Sequence, residues 1–352
     1  MKPPLIGVEE ELLLVSTDGH PLPRNKAVLE DLGDELDVAL ELTRAQVEIN
    51  TPVCATADEL SGHLNDMRSA LAAAAAEEGG RLLAIAVPPH GRPAQLVTLK
   101  PRYQEMAARY GQLAREQGVC GCHVHVDVPD KDAALSVCNH LRPWLPVLLA
   151  LTANSPVYLD QDTGFASWRW IMWSRWPCSG PPPYLESSEH YDALVAMHLA
   201  AGTLMDEQMV YWDIRPSTHL PTVEVRVSDV PLTTDETVLL ATLARALVMT
   251  ALADGGGGPR VDSEVLRAAY WLAARDGVTA GAVDARTAEE LSMAELLERL
   301  QREVAPALTE LDAVDLVRDG IERALRDGNG AVRQRRAFRE GADFVALTQV
   351  QP

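Results

Sequence analysis

Four short segments of the chain alternate apolar and polar residues with a period of two, as strands half buried on one face do. In the first, Gly7, Glu9 and Glu11 share a side while Val8, Leu12 and Leu14 take the other, with Glu10 the exception. In the second, Gln46, Glu48 and Asn50 oppose Ala45, Val47 and Ile49. The third sets His123, His125 and Asp127 against Val124, Val126 and Val128. The fourth sets Glu224, Arg226 and Ser228 against Val223, Val225 and Val227. Such strands suit an antiparallel sheet with one face on a core and the other wet. Their polar sides are unusually rich in groups that do chemistry.

Helical patterns lie between the strands. Thr56 and Glu59 form a capping box for a helix that runs through Ala-rich sequence to Gly79-Gly80. Further helices are expected over residues 102–117, 131–153, 188–205 and 235–253, and residues 262–325 are mostly helical in composition. The run Asp254-Gly-Gly-Gly-Gly-Pro259 reads as a flexible loop, because it lacks the Lys-Ser/Thr of a phosphate-cradling loop.

The chain has 352 residues, enough for one large domain or two ordinary ones. Its 31 Lys and Arg against 51 Asp and Glu leave a formal charge of −20. That excess argues against docking on a nucleic-acid backbone or an anionic membrane. An anionic substrate is repelled too, unless cations or local arginines intervene. The five cysteines form no C-x-x-C pair and suggest no disulfide framework. The N-terminus meets acid before any long apolar run and does not read as a signal peptide. The most apolar stretch, residues 141–153, is too short to span a bilayer and is broken by Pro143 and Pro146, so a cytoplasmic protein is expected.

Glu9 and Glu11 alternate inside an apolar strand, where a carboxylate needs a cation or hydrogen bonds to compensate it. Hard divalent cations such as Mg²⁺ use one or two such carboxylates together with substrate phosphates. His123 and His125 project side by side from alternate strand positions, as a metal pair or as hydrogen-bonded core histidines. Asp213 and Arg215 repeat the acid–arginine alternation of Glu224 and Arg226, and arginine suits bidentate recognition of phosphate or carboxylate. The segment from residue 165 to 184 gathers Trp168, Arg169, Trp170, Trp173, Arg175 and Trp176 before a Ser-Gly-Pro-Pro-Pro loop. It reads either as a packing patch or as a substrate lid whose arginines meet a carboxylate.

These segments resemble the glutamate–cysteine ligase type 2 family of carboxylate–amine ligases, within the glutamine-synthetase-like superfamily. The resemblance rests on Ile6-Gly-Val-Glu-Glu-Glu-Leu12, Gln46-Val-Glu-Ile-Asn50, Gly121-Cys-His-Val-His-Val126 and Arg175-Trp-Pro-Cys-Ser-Gly-Pro-Pro-Pro183. Tyr211-Trp-Asp-Ile-Arg-Pro216, Thr222-Val-Glu-Val-Arg-Val-Ser-Asp229 and Asp327-Gly-Asn-Gly-Ala-Val-Arg-Gln-Arg335 complete it. The resemblance implies an α+β fold, with a curved antiparallel sheet lining the site and helices packed on its other face. It implies one catalytic domain over residues 1–352 that uses ATP and Mg²⁺ to join an amino-acid carboxylate to an amine through an acyl phosphate, as a homo-oligomer such as a dimer.

Carried over residue by residue, Glu9, Glu11, Glu48, His123 and Glu224 resemble the metal-binding set, with Glu48, Arg215 and Arg226 counted as catalytic. Arg226 resembles the arginine that faces the ATP phosphates, with Arg215 and Gln46 beside it. Arg175, Arg169, His125 and Asn50 are the candidates for the amino-acid substrate, and Cys178 is assigned no role. Two other functions stay open on these residues: a His-x-His metallohydrolase using zinc-activated water, and a non-catalytic protein that binds nucleotide or a partner through the Trp-rich segment. The basic residues Arg333, Arg335, Arg336 and Arg339 read as a helix face or a subunit contact.

Overall fold

The computed structural model describes residues 2–33, 36–91 and 97–352. Seven strands make the principal sheet: β1 (Ile6–Ser16), β2 (Val38–Leu40), β3 (Gln46–Asn50), β4 (Gly80–Leu83), β5 (Gly121–Asp127), β6 (Ile214–Pro216) and β7 (Thr222–Asp229). They run β6-β7-β5-β1-β3-β2, and β4 pairs with the far end of β1. Every pairing is antiparallel, and all four strands expected from the alternation are present.

The rear of the sheet presents Val8, Leu12, Val47, Ile49, Val124 and Val225, all buried. Burial of that apolar face is what pins the register, since a one-residue slip would turn it to water. Helices α1 (Ala57–Glu77), α2 (Pro101–Tyr110), α3 (Lys131–Leu141), α4 (Leu145–Thr152), α5 (Trp168–Trp173) and α6 (Thr234–Asp254) surround it. The Thr56/Glu59 capping box opens α1, and an equivalent box of Thr233 and Glu236 opens α6. Helix α6 packs against β1 and β5, and α4 against β7. Among the described residues α6 alone is long and apolar enough to cross a membrane, but most of it is buried inside the protein.

Five expectations change. The helix expected over residues 188–205 ends at Ala200. The helix expected over residues 102–117 ends at Tyr110, where Gly111 turns at φ 58 before a short turn over Gln112–Arg115. The helix expected over 131–153 divides into α3 and α4, because Pro143 and Pro146 interrupt the hydrogen-bond ladder. The largely helical region 262–325 contains a hairpin of Gly281–Asp284 with Glu289–Ser292. Finally, β7 bulges between Val225 and Ser228, so Ser228 stands opposite Cys122. The extra residue moves Ser228 from the polar face shared by Glu224 and Arg226 to the rear face.

The glycine run after α6 is held in place: Ser136 donates to the Gly256 carbonyl at 2.7 Å and Tyr184 to the Gly257 carbonyl at 3.0 Å. The basic residues near the end lie on helix Gly330–Arg339, where Arg335 pairs with Asp162 and Arg333 with Glu236 of the same chain. All five cysteines are free and buried.

Candidate active site

The front of the sheet lays its polar residues out as a grid. In one row Arg215 of β6 stands opposite Glu224 of β7, Glu224 opposite His125 of β5, and His125 opposite Gly7 of β1. In the next row Glu9 stands between His123 and Asn50. One step further Glu11 faces Glu48 of β3. Cross-strand partners point to one face, so these groups converge without any loop having to deliver them.

Hydrogen bonds join the rows. Glu9 reaches both histidines, with Oε2 2.9 Å from His123 Nδ1 and Oε1 3.0 Å from His125 Nε2. Arg215 Nε donates to Glu224 Oε2 at 2.8 Å, and Arg226 Nη1 pairs with Glu224 Oε1 from the other side. Arg226 Nη1 also lies 3.3 Å from His123 Nδ1. Glu11 Oε2 accepts the backbone N–H of Gly121 at 2.7 Å.

The two ends of this grid differ electrostatically. Burial pushes the Glu9 and Glu224 carboxyls up, yet their partners outweigh it. The bonds to His123 and His125 hold Glu9 well below the usual carboxylate range. The guanidiniums of Arg226 and Arg215 do the same for Glu224. Burial and then Arg226 hold His123 below its ordinary value. At the other end burial and the neighbouring Glu11 push Glu41 up to about 8. Burial, followed by Glu41, Glu9 and Glu11, pushes Glu48 well up. Carboxylates gathered this way repel one another, which a divalent cation between them would relieve.

Three groups bring ligand atoms within 4.8 Å of one another: Glu9, His125 and Glu224; Glu9, Glu48 and His123; and Glu11, Glu41 and Glu48. The last offers only oxygen, the donor that Mg²⁺ prefers. The first two add an imidazole nitrogen. All of these residues line one cleft of about 420 Å³. Its other walls come from Arg102, Tyr103, Trp173, Trp176 and Tyr211.

The model of the glutamate–cysteine ligase family 2 matches residues 5–347. The chain belongs to that family. It is 51% identical over 352 residues to a protein of Nocardia farcinica named "putative glutamate–cysteine ligase 2-1", covering 99% of this chain and 92% of that one. It is 50% identical over 348 residues to a "putative glutamate–cysteine ligase 2-2" of Mycobacterium sp. strain KMS, covering 97% and 96%. In fold it is similar to a crystal structure of glutamate–cysteine ligase from Francisella tularensis in complex with AMP, with a TM-score of 0.73 and 14% identity, covering 99% of this chain and 87% of that one. A bifunctional glutathione synthetase from Pasteurella multocida superposes with a TM-score of 0.69 and 16% identity, covering 99% and 51%. The protein is an ATP-dependent ligase of the carboxylate–amine class.

Of the residues expected from the sequence of this family 2 member, Glu9, Glu11, Glu48, His123, His125, Arg215, Glu224 and Arg226 all line the cleft. Gln46 lines it too, but its Nε2 donates to the Val119 carbonyl at 2.7 Å and its Oε1 accepts from Thr43 at 2.7 Å. Asn50 donates to Asp37 at 3.3 Å and is not part of the cleft wall. Arg175 pairs with Glu116 at 2.9 Å and also lies outside the wall. Arg169 is buried over Gly121, 3.5 Å from the carbonyls of Arg226 and Val227, and is not part of the cleft wall.

The Trp-rich segment therefore reaches the cleft through Trp173 and Trp176, while both its arginines are engaged elsewhere. Asp229 anchors the segment by accepting from Ser155 at 2.7 Å and from Ser167, the N-cap of α5, at 2.8 Å. Glu41 is the principal residue that sequence reasoning missed. Its signal was present, because Ala39 stands opposite Glu48 and the alternation Ala39-Leu40-Glu41 returns Glu41 to the same face. Arg102 and Tyr103 come from the start of α2, and no local pattern aims that helix at the sheet.

Proposed function

We propose that this ligase activates the side-chain carboxylate of glutamate with ATP and passes the acyl group to an amine. The carboxylate oxygen attacks the γ-phosphorus, giving an acyl phosphate and ADP. The amine nitrogen then forms the C–N bond as the C–O bond to phosphate breaks. Of the two protons the ammonium loses, one leaves with the phosphate and one goes to solvent. The supporting observation is the convergence of Glu9, Glu11, Glu41, Glu48 and Glu224 with Arg215 and Arg226 in one cleft.

The residues fit a divalent cation: Glu11, Glu41 and Glu48 form an all-oxygen set, and Glu9, Glu48, Glu224, His123 and His125 supply the mixed sets. Bound there, Mg²⁺ would neutralise phosphate oxygens as charge shifts between them. The protein's own part is positional. Arg226 and Arg215 are held in place by Glu224 and offer their guanidiniums where negative charge gathers. Glu9 fixes both imidazoles from one side. One hydrophobic cluster runs through strands and helices from Ile6 to Val345, which supports a single catalytic unit.

The test uses glutamate labelled with ¹⁸O in its side-chain carboxylate, with ATP, Mg²⁺ and a panel of amines. Amine-dependent ADP release with one ¹⁸O carried into inorganic phosphate is expected. Amide formation without label in phosphate would overturn the acyl-phosphate route.

A further inference from the structure

We infer that Gln46 is a positioning residue for the cation site, acting on Glu11 through the backbone between them rather than on nucleotide or substrate. The inference rests on the reading above that Glu11, Glu41 and Glu48 hold a divalent cation. Acids crowded together in this way repel one another, and each gains by turning away. Glu11 is kept in place by the backbone N–H of Gly121, which donates to its Oε2 at 2.7 Å. That bond engages one carboxylate oxygen and leaves the other to a cation.

Gly121 opens β5, and two peptide groups lead into it. In the first, the N–H of Cys120 donates to the Ala86 carbonyl at 2.9 Å, and the Val119 carbonyl accepts from Gln46 Nε2 at 2.7 Å. In the second, the Cys120 carbonyl accepts from the N–H of Val230 at 3.2 Å, and the N–H of Gly121 meets Glu11. Neighbouring backbone thus holds one end of each peptide, and a side chain of the cleft holds the other. Gln46 stands on β3 opposite Leu13 of β1, one step beyond the pair of Glu11 and Glu48. Its amide therefore reaches the entry of β5 past β1, which lies between the two strands. Thr43 Oγ1 donates to Gln46 Oε1 at 2.7 Å, and the buried Asn25 donates to the carbonyls of Thr43 and Gln46 at 3.2 and 3.1 Å. With its oxygen and nitrogen both engaged, Gln46 serves the backbone rather than a ligand. Without it the buried Val119 carbonyl loses its partner and the peptide turns to find another. The Gly121 amide turns with it, and Glu11 loses its aim.

The test is a Mn²⁺ titration of the full chain without nucleotide or substrate, read by the paramagnetic resonance of free Mn²⁺, beside the Mg²⁺ dependence of turnover. Gln46→Leu is expected to raise the Kd for Mn²⁺ and the Mg²⁺ concentration for half-maximal activity, each about tenfold or more. At saturating Mg²⁺, kcat and the KM for ATP should stay near those of the parent. Thr43→Val keeps the Gln46 amide but frees it to turn; it is expected to act in the same direction to a smaller degree, and it serves where Gln46→Leu does not fold. Unmoved Mn²⁺ affinity overturns the inference, and a raised KM for ATP beside it would make Gln46 a nucleotide contact. An equal loss of Mn²⁺ affinity in Arg68→Met, which breaks a buried ion pair with Glu10 and leaves Gln46 untouched, overturns it too, since general loosening of β1 would then suffice. A parent that binds no Mn²⁺ overturns the cation reading itself and this inference with it.

Discussion

Arg68 of α1 holds Glu10 of β1 through two hydrogen bonds of 2.7 Å, Nε to Oε2 and Nη2 to Oε1, on the strand face opposite Glu9 and Glu11. The pair is buried, and Arg68 also donates to the carbonyls of Pro231 and Leu232 at 3.0 and 3.3 Å, just past the end of β7. The one acid that breaks the alternation of the first strand is thus a tie between the strand of Glu9 and the exit of the strand of Glu224. Arg68→Met strands a buried carboxylate and should lower stability by about 3–5 kcal/mol. The double variant Glu10→Leu/Arg68→Met should recover most of that loss, since an apolar pair replaces a buried ion pair at little cost. Urea unfolding of the three proteins checks this, and a double variant no more stable than Arg68→Met would refute it.

Glu224→Gln keeps the shape of the side chain and removes the charge between Arg215 and Arg226. Because the arginines then lose the partner that aims them, kcat is expected to fall by about a hundredfold or more. Circular dichroism should show an intact fold. Activity within a few-fold of the parent would remove Glu224 from the machinery.

Glu41→Gln probes the acid that joins Glu11 and Glu48 from just past the end of β2. Removing one of three crowded carboxylates should raise the melting temperature of the protein in EDTA. The same change should raise the Mg²⁺ concentration for half-maximal activity by about tenfold or more. Melts with and without Mg²⁺, beside a Mg²⁺ titration of turnover, read both effects. Loss of stability in EDTA would show that Glu41 is a structural acid.

Asp213 carries a pH dependence. Its carboxyl is buried, which pushes it from 3.8 up to about 6 against the opposing pull of its bond from Trp170. Between those values the unfolded chain releases a proton that the folded protein keeps, so stability falls as pH rises through this window. Above about 6 the loss is complete, at up to about 3 kcal/mol. Asp213→Asn has no such proton to lose. Its melting temperature relative to the parent should therefore be higher at pH 7.5 than at pH 4, and parallel curves would rule the effect out.

Much of the site was legible because alternation is a local property of extended backbone. Glu9, Glu48, His123 and Glu224 could each be assigned to a polar face from their own strands. Asn50 obeys the same rule yet lies outside the cleft wall, because Asp37 takes its amide. The Trp-rich segment was visible as a cluster, but which of its side chains face the cleft depends on how Asp229 and Ser167 set α5. Arg169 and Arg175 turn away for that reason.

The sequence by itself determined which residues share a side of each strand up to the bulge of β7, where α1 begins, and, through its motifs, the family. Those properties depend on neighbours a few residues apart. Tertiary structure alone decided which strands adjoin, so that Glu9 meets His123 across 114 residues of chain and the bulge sends Ser228 to the rear. It also decided that Glu41 joins Glu11 and Glu48. The reason is physical: backbone geometry fixes the direction of a side chain relative to its own strand, whereas its partners are chosen by the register that buries the opposite face.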